Sequence, residues 1–249
     1  MKNVIVYNQV NTDYHVGEKY TDEHLIDYLM CQIDNSLKLG WDRDDIIIGT
    51  NFDFEYRGIK NYLLEDVCTY SGFNNFWYGA LELMNKGILV EDFWLHDQDS
   101  WPVRKFDFPD FDGEIAGCEY IKTRQWNCGS IFFKETSKFL LENIVYSMKN
   151  NTGQKISSDE NWIAAFRFNT LSKNRHLFSS IDTRYNVGYT HFNQRYDRAT
   201  KPINVFSFKP DHECFDVFES FINEDLLDIF RKHNLLSNRW RPIGWETIK

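Results

Sequence analysis

Cysteine and proline are both scarce here, with five of each in 249 residues. Cys31, Cys68, Cys118, Cys128 and Cys214 stand without a C-x-x-C pair or a regular spacing, and an odd number argues against a closed disulfide framework. A reducing, intracellular compartment fits best. The prolines gather into no Pro/Gly/Ser-rich linker, so a single domain is expected over residues 1–249. Long apolar runs are also missing: nothing approaches the roughly 18 consecutive apolar residues that a membrane-spanning helix needs. The opening MKNVIVYNQVN holds too short an apolar stretch for the core of a secretory signal. No membrane partner is expected, and the expected location is cytoplasmic. Positive charge is in deficit, 28 Lys and Arg against 37 Asp and Glu for a net charge of -9, which removes polyanion binding as a property of the whole surface.

Apolar and aromatic residues are plentiful instead, at 42% and 17%, enough for a sizeable core. Together with many Asn, Lys, Asp and Ile they suggest the codon bias of an AT-rich genome, that of a phage or a low-GC bacterium, and for a phage the compartment would be the host cytoplasm. Val4–Tyr7 reads as a buried strand, Thr21–Gly40 as a helix with Leu25, Leu29, Ile33 and Leu37 on one stripe, and Asp45–Gly49 as a second buried strand. Strand, helix and strand make a βαβ unit. A second helix is expected over Phe73–Lys86 and a third strand over Phe93–Leu95. Further strands are expected at Gly113–Cys118 and Gly129–Phe133, with helices at Ser137–Lys149, Ser157–Phe168 and Asn223–Lys232. From Leu171 the pattern is irregular, with short strands near Val205.

The third strand runs directly into His96-Asp97-Gln98-Asp99. Parallel sheets bind ligands beyond the carboxyl ends of their strands. In an extended segment residues i and i+2 share a face, so Asp97 and Asp99 could reach one cation together. Mg²⁺ and Mn²⁺ want such oxygen donors and complete their shells with phosphate oxygens. D-x-D also arises by chance, and Asp107, Asp110 and Asp112 form an acidic run with no such setting. By topology, Tyr7, Asn8, Thr50 and Asn51 close the first two strands where a nucleotide base would sit, and each could equally be a turn residue.

The order of the remaining pieces resembles the GT-A glycosyltransferases, in particular the glycogenin-like and capsule-type sugar transferases. The carrying segments are LHDQDSWP (95–102), WNCGSIFF (126–133), SSDENWIAAF (157–166), TRYNVGY (183–189), THF (190–192) and FKPDH (208–212). They follow that family's D-x-D, N-x-G, D-[EQ]-x-x, R-Y-N, late His and Lys-Pro order over most of residues 1–215. The resemblance implies an α/β fold of GT-A, Rossmann-like type, with a mixed, mainly parallel sheet flanked by helices. The nucleotide-binding part would be about 1–100 and the acceptor side about 101–249.

The implied activity is transfer of a sugar from a nucleotide-diphosphate sugar, with a UDP-sugar first in line, onto an acceptor hydroxyl. Asp97 and Asp99 would hold Mn²⁺ or Mg²⁺. The family often places a His shortly before the Lys-Pro pair, where this chain has Asn204, so His212 and His191 are the candidates for a third ligand. Asn127 and Gly129 would approach the donor sugar, Lys209 would face the diphosphate, and Asp159 would stand nearest the reacting sugar as base or hydrogen-bond acceptor. Glu160, three residues after Ser157, reads as a capping-box partner.

Residues 170–249 carry 12 Lys and Arg against 10 Asp and Glu, and 191–201 and 231–245 interleave basic and aromatic residues. Such a mixture suits a glycan acceptor or a hydroxymethylated base of phage DNA, and it also suits a solvated face. Two other classes remain open: a non-catalytic nucleotide- or sugar-binding module, and a metal-dependent nucleotidyltransferase. Against the latter, no Gly-rich phosphate loop follows Tyr7.

Overall fold

The computed structural model describes residues 1–8, 22–67, 74–120, 125–150, 159–168, 175–212 and 214–236. Strand β1 (Lys2–Tyr7) leads to helix α1 (Asp22–Lys38) and strand β2 (Ile46–Thr50), the expected βαβ unit. A short hairpin, β3 (Glu55–Tyr56) and β4 (Ile59–Leu63), follows. Periodicity does not reveal it, because the hairpin is mostly solvent-facing and too short to alternate. Helix α2 (Asn75–Asn85) and strand β5 (Phe93–His96) fall where expected. Strand β6 (Ser100–Pro102) comes next, then β7 (Ile115–Glu119), β8 (Trp126–Phe133), α3 (Lys138–Asn150) and α4 (Asp159–Phe168). The irregular last third resolves into β9 (Phe178–Ile181), β10 (Val187–Gly188), α5 (Phe192–Arg198), β11 (Val205–Ser207), α6 (Phe215–Phe218) and α7 (Glu224–Lys232).

Eight strands form one mixed sheet in the order β3-β4-β2-β1-β5-β8-β7-β9, and β10, β11 and β6 form a second, three-stranded sheet. In the large sheet β4, β2, β1 and β5 run parallel, while β8 lies antiparallel to both β5 and β7. The central strands are buried on both faces, as continuous apolar runs require. On one face α2, α3 and α4 bury Trp77, Leu83, Leu140, Ile144 and Ile163. On the other, Leu29 and Ile33 of α1 pack with Trp94, Phe132 and Tyr185. A third cluster of Trp101, Phe206, Phe208, Phe215 and Phe230 fastens the small sheet to α7. Among the described residues no helix is long and apolar enough to cross a membrane.

Candidate functional site

Three parallel strands end at one edge. Tyr7 and Thr50 are register partners at the carboxyl ends of β1 and β2, and Ile5 pairs with His96 at the end of β5. His96 is fully buried, stacked on Trp94 at 3.9 Å between ring centroids, with Nε2 2.7 Å from Asn3 Oδ1. Burial pushes its imidazole down to about 3, so it stays neutral and braces the strand end.

Asp97, Gln98 and Asp99 then form a tight turn instead of the extended segment expected, closed by the Ser100 amide donating to the Asp97 carbonyl (3.1 Å). The turn is gripped from three sides. The Asp97 amide donates to the Gly129 carbonyl (3.0 Å), the Phe208 amide donates to the Asp99 carbonyl (2.9 Å), and Gln32 Nε2 of α1 donates to the carbonyls of Gln98 (2.7 Å) and Ser100 (3.0 Å). Backbone held this way fixes where both carboxylates begin.

Asn127 and Gly129 lie within β8, not in a turn before it. Opposite them the β7–β8 register jumps: Gly117 pairs with Ile131 but Cys118 pairs with Asn127. The resulting bulge swings Asn127–Gly129 toward the carboxylate turn. A Cβ on Gly129 would lie 3.0 Å from Ser100 Oγ and 3.2 Å from both Asp97 Oδ2 and Asn127 Oδ1. Ser100 Oγ donates to the Gly129 carbonyl (2.7 Å) and lies 2.8 Å from Ser207 Oγ, which donates to Asn186 Oδ1 (2.7 Å). The N-x-G and R-Y-N segments are thus joined to the D-x-D turn.

Lys209 follows Phe208 directly and is half-buried; its carbonyl accepts from the His212 amide (3.2 Å). His212 Nδ1 accepts from the Cys214 amide (3.1 Å), which leaves the proton of the neutral ring on Nε2. Burial pushes the Cys214 thiol up to about 11, and the negative charge of Asp99 adds to that, so this turn lies within electrostatic reach of the D-x-D carboxylates. His191 is exposed at the head of α5 with φ of 58°, and no described contact joins it to Asp97 or Asp99. Among the described residues no three His, Cys, Asp or Glu side chains gather as a ready metal cluster.

Both polar atoms of the Asn8 amide are buried without a hydrogen-bond partner, one residue past β1. Thr50 is fully buried; its hydroxyl donates to the Phe52 carbonyl (2.6 Å) and accepts from Asn61 Nδ2 (2.6 Å), which occupies it in bracing the loop. Tyr7 meets the edge of Phe52 at 6.4 Å, and Asn51 is half-buried beside it. Asp159 opens α4, with its side chain outside the described set, as is Ser157. Tyr120 Oη donates to Glu160 Oε1 (2.7 Å), while Ser157, the other half of the expected capping box, lies outside the described residues. Tyr120 and the buried Arg195 carried no motif, and only tertiary packing brings them to the site.

No protein-family model matches the chain, and no curated protein matches it in sequence. Solved structures do. A glycosyltransferase involved in the glycosylation of the major capsid of PBCV-1 superposes with a TM-score of 0.50 at 11% identity, over 83% of this chain and 93% of that one. The galactosyltransferase LgtC, in complex with donor and acceptor sugar analogs, gives 0.56 at 10% over 98% and 99%. The apo form of GlyE from Streptococcus pneumoniae TIGR4 gives 0.56 at 9% over 98% of this chain and 66% of that one. The chain has a GT-A glycosyltransferase fold. In GT-A terms, the carboxyl edge of β1, β2 and β5 with the bulged β8 is the candidate active site.

Proposed function

We propose that this GT-A chain is an enzyme, a metal-dependent glycosyltransferase that moves a sugar from a nucleotide-diphosphate sugar to the hydroxyl of an acceptor glycan. One observation carries this reading: Asp97 of the D-x-D turn is locked against Gly129 of the N-x-G strand at the carboxyl edge, with its carboxylate beside that glycine.

The donor set fits a hard divalent cation, because two carboxylates leave one turn and the missing Cβ of Gly129 keeps Asp97 Oδ2 clear on that side. Asp97 and Asp99 would hold Mn²⁺ or Mg²⁺, with diphosphate oxygens filling the positions that the protein does not. When bound, the cation would neutralise the charge of the leaving diphosphate. Lys209 supplies a further positive charge there, and the Nε2–H of His212 suits donation to a phosphate oxygen better than ligation. The unpartnered Asn8 amide offers a donor and an acceptor to a base edge, that of a UDP-sugar first. Asn127 would orient the donor sugar. The acceptor oxygen bonds to the anomeric carbon as the carbon–phosphate-oxygen bond breaks, and the hydroxyl proton passes to Asp159 or to the leaving phosphate.

A glycan is favoured over hydroxymethylated DNA as acceptor. In the basic stretch 191–201, Arg195 is buried and Lys201 Nζ folds onto the Tyr196 ring at 3.4 Å, which leaves less of that stretch to meet a polyanion. The test is thermal stabilisation by a panel of sugar nucleotides with and without Mn²⁺, on wild type and Asp99→Ala, followed by release of free nucleotide diphosphate. A Mn²⁺-dependent rise for one nucleotide, lost in the variant, with turnover in the wild type, is the expected result. Binding without turnover on any acceptor would leave a sugar- or nucleotide-binding module.

A further inference from the structure

Arg195 is the least expected residue near this site. It is fully buried in α5, among the described residues it makes no ion pair, and its Nε and Nη1 have no hydrogen-bond partner. Its one direct bond runs from Nη2 to the Asn186 carbonyl (2.6 Å). A buried cation so poorly satisfied carries a large desolvation cost, and an apolar side chain of similar size would serve packing better. Its surroundings explain what such a cost can support.

The guanidinium carbon lies 5.1 Å from the centre of the Tyr120 ring, and Tyr120 Oη donates to Glu160 Oε1 (2.7 Å). A cation on a phenol face makes its hydroxyl a stronger donor. On the other side, a Cβ on Gly188 would lie 2.8 Å from Arg195 Nη1 and 2.9 Å from Asn127 Nδ2, so the two donors converge on the bare face of that glycine. The Asn186 residue that Arg195 grips donates through Nδ2 to the Asn127 carbonyl (3.2 Å), and its Oδ1 accepts from Ser207. One guanidinium therefore touches both arms of the site, the α4 arm through Tyr120 and the β8 arm through Asn186.

We propose that Arg195 is a positioning residue for the transfer step, holding Glu160 at the start of α4 through Tyr120 and the Asn127 backbone carbonyl of β8 through Asn186 in one fixed relation. The proposal rests on the glycosyltransferase reading and goes beyond it by coupling the two arms. Arg195 itself is buried away from substrate, so it acts on the alignment of the reacting groups and not on donor affinity.

The test uses the full chain with its sugar nucleotide, comparing wild type, Arg195→Met, Arg195→Lys and Gly188→Ala. Arg195→Met is expected to lower kcat by about ten- to a hundredfold, with KM for the donor within about threefold and melting temperature unchanged or raised. Arg195→Lys keeps the charge over Tyr120 and is expected to recover most of the loss. Gly188→Ala removes no polar group but thrusts a methyl between the two donors, and it should lower kcat in the same way. An unchanged kcat in Arg195→Met, or a loss that Lys does not recover, would overturn the proposal. If Arg195→Met does not fold, Gly188→Ala decides: a kcat equal to wild type overturns it. A wild type without turnover would instead sink the glycosyltransferase reading, a separate and recognisable failure.

Discussion

The Asp97 amide donates to the Gly129 carbonyl at 3.0 Å, and a Cβ on Gly129 would stand 3.2 Å from Asp97 Oδ2. Of the atoms that such a methyl would press, Ser100 Oγ is the least able to move, since it is tied to Gly129 and Ser207. The Asp97 carboxylate would give way instead. Gly129→Ala is expected to cost about 1–2 kcal/mol of stability while lowering transfer roughly a hundredfold. Chemical denaturation and donor turnover measure the two effects. Wild-type turnover in that variant would mean that the placement of Asp97 is not critical.

His212 and Asp99 should separate under metal titration. Because the Cys214 amide occupies His212 Nδ1, the neutral ring presents a proton at Nε2 and not a lone pair. His212→Gln is then expected to weaken nucleotide-diphosphate binding about tenfold while leaving the Mn²⁺ dependence intact. Asp99→Asn should abolish the Mn²⁺ dependence itself. Calorimetry with the nucleotide at several Mn²⁺ concentrations distinguishes them, and loss of Mn²⁺ dependence in His212→Gln would make that histidine a ligand after all.

Acid stability should report on Asp34, which ties α1 to α7 and to the β3–β4 hairpin. Its Oδ2 accepts from Lys232 Nζ (2.5 Å), His233 Nε2 (2.9 Å) and Tyr56 Oη (3.0 Å), and its Oδ1 from Arg57 Nε (3.0 Å). Burial would raise this carboxyl, but the hydrogen bonds from Lys232, His233 and Tyr56 outweigh it and hold it at about 2. A depressed carboxyl contributes stability above its unfolded value near 4, and that contribution is lost as pH falls toward 2. Asp34→Asn is expected to lose about 2 kcal/mol at neutral pH and to show a flatter stability profile between pH 4 and 2. An unchanged acid limb in urea titrations across that range would contradict the assignment.

The first half of the fold could be read from sequence because its strands are buried on both faces and its helices carry one apolar stripe. Val4–Tyr7, Ile46–Thr50 and Phe93–His96 announce themselves as unbroken apolar runs, and Asp97 and Asp99 stand at the end of the third. The later elements before α7 are two to seven residues long, too short to show a period, so β10 and α5 could not be seen. Arg195 illustrates the cost. In sequence it belongs to a basic, aromatic stretch that suits a solvated face, and only the packing of α5 behind Gly188 buries it. Glu160 shows a similar limit: its spacing from Ser157 suggests a cap, and nothing in that spacing announces the bond it accepts from Tyr120, forty residues away.

Arg167 should fasten the Asp159–Glu160 end of the site from the far end of the same helix. It is 7% exposed, it donates through Nη2 to Glu119 Oε1 (2.7 Å) and Ser180 Oγ (2.8 Å), and its guanidinium lies 4.3 Å from the Trp126 ring centre. Glu119 ends β7 next to Tyr120, and Trp126 begins β8 next to Asn127, so this one ion pair holds α4 against both strands that lead into the site. Arg167→Met takes the cation from the Glu119 carboxylate, which keeps the Ser180 Oγ bond (2.6 Å), and is expected to cost about 2–3 kcal/mol, a figure reduced because Glu119 is partly exposed. In Arg167→Met/Glu119→Gln the uncompensated carboxylate charge is gone, and the double variant should be more stable than the two single losses predict when added. Turnover should stay low in the double variant even as stability returns, because α4 has lost its tether. Recovery of turnover together with stability would show instead that Arg167 serves only to neutralise Glu119.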